Sequence, residues 1–461
     1  MNSSTSNQAP ASSGFLSDLI ETLTKRSRAL LGRGRSQWAA LARNGADLTA
    51  LGELLLSRRG EASGVAMAEA LLASYARASQ EEKLAFLDDL AAHFGADRER
   101  VALAVTAFET EGADDTAVDA LHEATEPRRQ ELLRRLNLAP GGTAALIRLR
   151  EDLLAHLREN PQLKPVDADF VHLFASWFNR GFLVLKRIDW TTPANILEKI
   201  IRYEAVHAIR DWDDLRSRVE PPDRRCHGFF HPQLVDEPLI FVEVALTREI
   251  PDSVGKLLDL DRTPIAAGEA TTAVFYSISN TQAGLSGVTF GSFLIKQVVE
   301  DLKSELPNLK TFVTLSPAPG FAAWLDRERN QASTIFEPEE NDALALLDDP
   351  DWHRDEDKTE RVRPALVAAA ASYFLKAKTP AGLPLDPVAR FHLGNGARLE
   401  RLNFLGDGSA NGLRQSYGLM VNYLYALDRI ETNHEAYAEN GVVAAAPSVR
   451  RALRAAPATV S

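Results

Sequence analysis

A single cysteine, Cys226, occurs in 461 residues, so neither an intrachain disulfide nor a cysteine-rich zinc site can form. That scarcity fits a reducing compartment. Long apolar runs are missing as well: no stretch approaches the roughly 18–20 uninterrupted apolar residues that span a bilayer, and no membrane partner is expected. Basic charge is in deficit. Lys plus Arg number 52 against 64 Asp plus Glu, for a formal net charge of −12, which disfavours nucleic acid as a partner. G-x-G-x-x-G, the Walker loop and the G-x-S-x-G elbow are also absent, leaving no support for a dinucleotide fold, a P-loop ATPase or an elbow hydrolase. With 45% hydrophobic and 25% charged residues, the chain has the balance of a globular protein and not of a disordered one.

The length predicts two or three domains. Residues 1–13 are Ser/Asn-rich, uncharged and without the pattern of a secretory signal, and read as a disordered tail. An Arg-rich transit segment around Lys25–Arg35 is opposed by Asp18 and Glu21, so cytoplasm is the expected location. Residues 14–165 are written for helices. Ser79 and Glu82 form a capping box ahead of a stripe of Leu84, Leu87, Ala91 and Phe94. Thr125-Glu-Pro127 opens a second helix carrying Leu132, Leu133 and Leu136, and Thr143 a third with Leu146, Leu149, Leu153 and Leu157. This half reads as a helical bundle that serves as a scaffold or an oligomerisation domain.

A hinge is expected at 162–167, and the grammar changes across 166–445. Leu239–Leu246, Ala273–Ser279 and Lys310–Leu315 are short apolar runs of the buried-strand type, and Phe293–Leu306 is helix-like, which makes this half α/β or α+β. The acidic stretch Phe336–Glu360 reads as a solvated insertion, and residues 446–461 as a frayed tail.

Chemistry concentrates in three places. Between two of the strands lies a glycine turn with Gly284, Gly287, Gly291 and Ser292, where the backbone can approach a pyrophosphate at a helix start. A plain structural turn is the alternative. Ser316 follows the next strand and is held by Pro317 and Pro319; it is either a Ser-Pro turn or a hydroxyl facing the same crevice. His392, beside the Asn395-Gly396 turn, is either a core histidine or a proton carrier that titrates near neutral pH. His227 and His231 lie four apart without a second ligand pair, so no metal site is expected. Glu243, alone in an apolar strand, must be paired or shifted in pKa.

Taken together, these segments resemble the malonyl-CoA decarboxylase family. The resemblance runs through Ser176–Phe182, Arg187–Trp190, Ile196–His207, Asp236–Thr247, Phe275–Ser279, Leu315–Phe321, Phe391–Ala397 and Gly418–Tyr423. It implies an α-helical N-terminal domain used in homo-oligomer assembly and a C-terminal catalytic domain of the acetyltransferase-like (GNAT) fold. It also implies malonyl-CoA as the small-molecule substrate and a catalytic pair falling on Ser316 and His392. Ser277, Gly284, Gly287, Gly291, Ser292, Asn395 and Tyr423 are the expected substrate- or CoA-binding residues. A carboxylate that some members place in the glycine loop corresponds to Thr289, so an acidic role there is not carried over. No cofactor is expected, because the thioester carbonyl takes up the charge left when CO2 departs. An acyltransferase on the same fold and a non-catalytic acyl-CoA scaffold are the competing readings.

Overall fold

The computed structural model describes residues 47–57, 61–111, 114–288, 294–331 and 336–453. They form two compact units. One takes in the described residues up to Trp177 together with Gln282–Val288; the other takes in Phe178–Thr281 and the described residues after 288.

The first unit is helical: α1 (Leu48–Leu56), α2 (Glu61–Arg77), α3 (Gln80–Ala92), α4 (Arg98–Glu111), α5 (Asp115–Thr125), α6 (Arg128–Asn137), α7 (Gly142–His156) and α8 (Lys164–Trp177). The capping box of α3 forms as the sequence predicts, Ser79 Oγ accepting from the Glu82 amide and Glu82 from the Ser79 amide. The buried face of α3 is Phe86, Leu87, Leu90 and the following Phe94, rotated from the expected stripe because Phe86 and Leu90 take the core positions assigned to Leu84 and Ala91. The expected hinge at 162–167 is occupied by a short turn and the start of α8, whose Val166, Phe170 and Phe174 are buried. Arg150 of α7 is buried among apolar helices. It donates to Asp167 (2.9 Å) and to the carbonyls of Gly284 and Ser286 (2.8 Å each), which draws the glycine turn into this unit.

The second unit is built on an eight-stranded sheet: β1 (Val184–Ile188), β2 (Arg224–Phe230), β3 (Pro238–Thr247), β4 (Thr272–Asn280), β5 (Thr311–Thr314), β6 (Ser316–Pro317), β7 (Arg398–Asn403) and β8 (Met420–Leu424). The order is β1-β2-β3-β4-β5-β8-β6, with β7 added on β8, and only β4 and β5 pair in parallel. That parallel step requires a crossover, supplied by a helix whose buried face is Leu294, Ile295, Val298, Val299 and Leu302. A register shift at Glu243/Val244 bulges β4 near Tyr276. This mixed sheet flanked by helices is the α/β arrangement expected of this half.

The helices of this unit are α9 (Ala194–Tyr203), α10 (Trp212–Val219), α11 (Val254–Leu258), α12 (Leu294–Glu305), α13 (Phe321–Asn330), α14 (Pro338–Ala345), α15 (Glu356–Leu375), α16 (Pro387–Gly394), α17 (Ala410–Ser416), α18 (Ile430–Asn440) and α19 (Pro447–Ala452). The acidic stretch is solvated along most of its charged residues, as expected, but it is helical. Glu339 and Glu340 begin α14 and Glu356 and Asp357 begin α15, where they complement the helix dipole, while Leu344, Leu347 and Trp352 are buried. Within the expected frayed tail, Ala446 donates to the Leu399 carbonyl and α19 buries Val449; residues 454–461 lie outside the described residues. No helix among the described residues is long and apolar enough to cross a membrane.

Candidate active site

Ser316 opens β6 immediately after β5, locked by Pro317 and buried. Its Oγ donates to Thr314 Oγ1 at 2.9 Å and stands 3.0 Å from Nε2 of His392. His392 occupies the last turn of α16. Asp386 caps that short helix by accepting the Ala389 amide, and Pro387 at its first position needs no partner for an amide it lacks. The other ring nitrogen, Nδ1, is 2.9 Å from the Tyr425 hydroxyl. One hydrogen-bonded chain thus runs Thr314–Ser316–His392–Tyr425.

Burial sets the electrostatics. The imidazole is enclosed, with the Tyr423 ring stacked on it at 4.6 Å and the edges of Phe391 and Tyr425 beside it. Desolvation pushes its pKa down to about 3, so the expectation of titration near neutral pH does not hold for this site. The ring is neutral at pH 7. With the serine hydroxyl donating to Thr314, Nε2–H donates to Ser316 and Nδ1 accepts from Tyr425; turning the serine hydroxyl toward Nε2 reverses both bonds. Burial likewise pushes the Tyr423 and Tyr425 phenols up, keeping them protonated as donors. The Tyr423 hydroxyl is buried without a hydrogen-bond partner among the described residues.

Of the residues singled out from the sequence, the structure brings Ser316, His392 and the Tyr423 ring together. Ser277 is engaged elsewhere: its hydroxyl donates to the buried Glu204 carboxylate at 2.8 Å, and Ser279 donates to the same group. Asn395 closes α16, its side-chain amide donating to the Phe391 carbonyl at 2.7 Å. Gly284 lies in the first unit, where an added Cβ would stand 2.0 Å from the Ile147 carbonyl oxygen. Gly287 has φ +77°. Gly291, Ser292 and Thr289 lie outside the described residues.

Tyr425 was missed in the sequence although Tyr423 was singled out. Two tyrosines spaced i, i+2 at the end of a strand point to one face, and that spacing was the available signal. Glu243 is both paired and shifted: it accepts from Arg218 at 3.3 Å, while full burial and the nearby Glu204 push its pKa up to about 8. His227 Nε2 is 3.0 Å from Asp301 Oδ2, and the His231 ring packs on Phe178.

The chain is similar in sequence and fold to known proteins. Residues 94–178 match the family described as malonyl-CoA decarboxylase N-terminal domain, and residues 181–461 the malonyl-CoA decarboxylase C-terminal domain. A mitochondrial malonyl-CoA decarboxylase of Anser anser anser is 38% identical over 380 residues, 76% of this chain and 75% of that protein. A mitochondrial malonyl-CoA decarboxylase of Mus musculus is 36% identical over 399 residues, 78% of this chain and 79% of its own. Both names say mitochondrial, in contrast with the cytoplasmic expectation for this chain. The crystal structure of malonyl-CoA decarboxylase from Rhodopseudomonas palustris superposes with a TM-score of 0.85 at 66% identity, covering 88% of this chain and 99% of that one. That from Agrobacterium vitis gives a TM-score of 0.85 at 57% identity, covering 89% of this chain and 100% of that one.

Proposed function

The chain belongs to the malonyl-CoA decarboxylase family, and on that premise we propose that it converts malonyl-CoA to acetyl-CoA and CO2, with Ser316 and His392 acting on the malonyl group. The observation that carries the reading is the buried hydrogen bond between those two side chains.

Decarboxylation breaks the C–C bond to the carboxylate, and the electron pair passes into the thioester as an enolate. A proton must then reach the α-carbon. The chain has to hold that bond perpendicular to the carbonyl plane, donate to the developing oxyanion and deliver the proton. A neutral dyad suits the first two tasks, because it gives the substrate carboxylate no cation to rest against while still offering donors where the oxyanion forms. His392 is assigned the proton delivery: Nε2–H of the neutral ring passes its proton to the α-carbon. The Tyr425 hydroxyl at Nδ1 holds the imidazolate that is left until solvent restores the proton after product release. Tyr423 covers the ring and keeps water from it.

Self-association through the helical unit belongs to the same proposal. Its support is the hairpin of α4 and α5, which leaves Leu103, Val105 and Val118 exposed.

The deciding experiment incubates the protein with malonyl-CoA alone and follows CO2. Stoichiometric release of CO2 with acetyl-CoA supports decarboxylation. Consumption only when an acyl acceptor is added points to a transferase, and binding without turnover to a scaffold.

A further inference from the structure

The helix that carries His392 has only eight residues, and one side chain fixes its start. Asp386 is fully buried at the N-cap: Oδ1 accepts the Ala389 amide at 2.8 Å and Oδ2 accepts the Tyr373 hydroxyl at 3.2 Å. Tyr373 comes from the end of α15, and the same hydroxyl lies against Gly320, where a Cβ would stand 2.7 Å from it. Gly320 caps α13 and follows Ser316 by four residues, two of them prolines, so a shift there is transmitted along a stiff path. One hydroxyl–carboxyl pair therefore touches both approaches to the dyad, the segment bearing Ser316 and the helix bearing His392.

The cap alone does not explain an aspartate here. Serine satisfies the same amide without placing an ionisable group in the core. Burial pushes the Asp386 carboxyl up to about 6, against the Ala389 and Val388 amides, the Tyr373 hydroxyl and Arg390, all of which favour its charged form. What aspartate adds to a serine cap is a second acceptor that reaches Tyr373.

We propose that Asp386 and Tyr373 are positioning residues for the dyad, bracing α16 against Gly320 so that His392 Nε2 meets Ser316 Oγ at hydrogen-bond distance. The brace rests on the Ser316–His392 reading given above and acts through that pair.

Steady-state CO2 release tests it in Tyr373→Phe, Asp386→Ser, Gly320→Ala and the double variant Gly320→Ala/Tyr373→Phe, with His392→Asn alongside. Asp386→Ser keeps the helix cap and loses the arm. Tyr373→Phe keeps the ring that packs on Phe321 and Trp324 and loses one oxygen. Each single variant is expected to lower kcat about 10- to 100-fold, the scale of an ångström misplacement. KM for malonyl-CoA should stay within about threefold, as for a loss confined to the transition state. Gly320→Ala should cost less than about twofold more once Tyr373 is Phe, since the atom its methyl would meet is gone and the next ring atom is 3.9 Å away. A Tyr373→Phe enzyme with parental kcat, beside an inactive His392→Asn, leaves the dyad standing and overturns the brace. So does full additivity of Gly320→Ala with Tyr373→Phe. Normal turnover by His392→Asn removes the dyad itself, and the brace with it.

Discussion

Ser316 Oγ and His392 Nε2 lie 3.0 Å apart although 76 positions separate them in the chain. One end of that contact is delivered by the step from β5 into β6, the other by a helix of eight residues capped at both ends. Replacing Ser316 by Ala or His392 by Asn should lower decarboxylation about 10²–10⁴-fold, the usual worth of a positioned acid or base. CoA affinity, measured by calorimetry, should barely change. Near-parental turnover in both variants removes the pair from the mechanism.

Tyr425 holds the far side of the same ring through a 2.9 Å hydrogen bond to Nδ1. Tyr425→Phe keeps the aromatic wall and deletes that bond, leaving Nδ1 without its hydroxyl partner. A single neutral hydrogen bond of about 1 kcal/mol predicts a fall in kcat of roughly fivefold to tenfold. The nitrogen chemical shifts of labelled His392 provide the check: a changed Nδ1/Nε2 pattern is expected, and an unchanged one sinks the assignment.

These site residues were unequally legible in the sequence, and the reason is physical. Strand β3 announces itself because all but its last residue are buried, and an apolar run records that locally. Pro residues and a tight turn flag Ser316 and His392 only as alternatives to a Ser-Pro turn and a core histidine; the family resemblance is what names them as a pair. The occupant of Ser277 could not be named, since Glu204 reaches it from 73 positions away and no period in the chain encodes the meeting. The helices within the acidic stretch went unread for a related reason. Charge density alone does not distinguish a solvated run from two adjacent helix starts; the sparse Leu344, Leu347 and Trp352 that bury beneath it carry that information.

Glu243 gives a pH prediction of definite sign. Its folded pKa is raised to about 8 from 4.5, so its stabilising contribution is complete below the unfolded value and is lost as pH rises through the folded one. Glu243→Gln removes that titration. Thermal melts from pH 6 to 9 should show the parent losing stability relative to the variant over that interval. A constant offset between the two curves contradicts the raised carboxyl.

The exposed apolar side chains of the α4–α5 hairpin give a prediction about assembly. Leu103 is 71% and Val118 48% exposed, an arrangement more economical when a second copy covers it. Leu103→Glu and Val118→Glu together should lower the mass measured by light scattering without altering the helical signal. An unchanged mass, whether monomer or oligomer, excludes this hairpin from the interface.

Arg150 brings the glycine turn under the control of a helix. Its guanidinium is nearly inaccessible and makes charge-assisted bonds to the Gly284 and Ser286 carbonyls and to Asp167. Bonds of that kind are worth about 1.5–3 kcal/mol each, though Asp167 is partly solvated and counts for less. Arg150→Met keeps the length of the aliphatic stem and strands the buried Gly284 carbonyl and the partly buried Ser286 carbonyl, so a loss of about 3 kcal/mol in denaturant unfolding is expected. Gly284→Ala attacks the same junction from the other side, because its methyl would meet the Ile147 carbonyl at 2.0 Å. Since both changes open one contact, their combined cost should fall short of the sum. Strict additivity would mean that the turn is held by something other than Arg150.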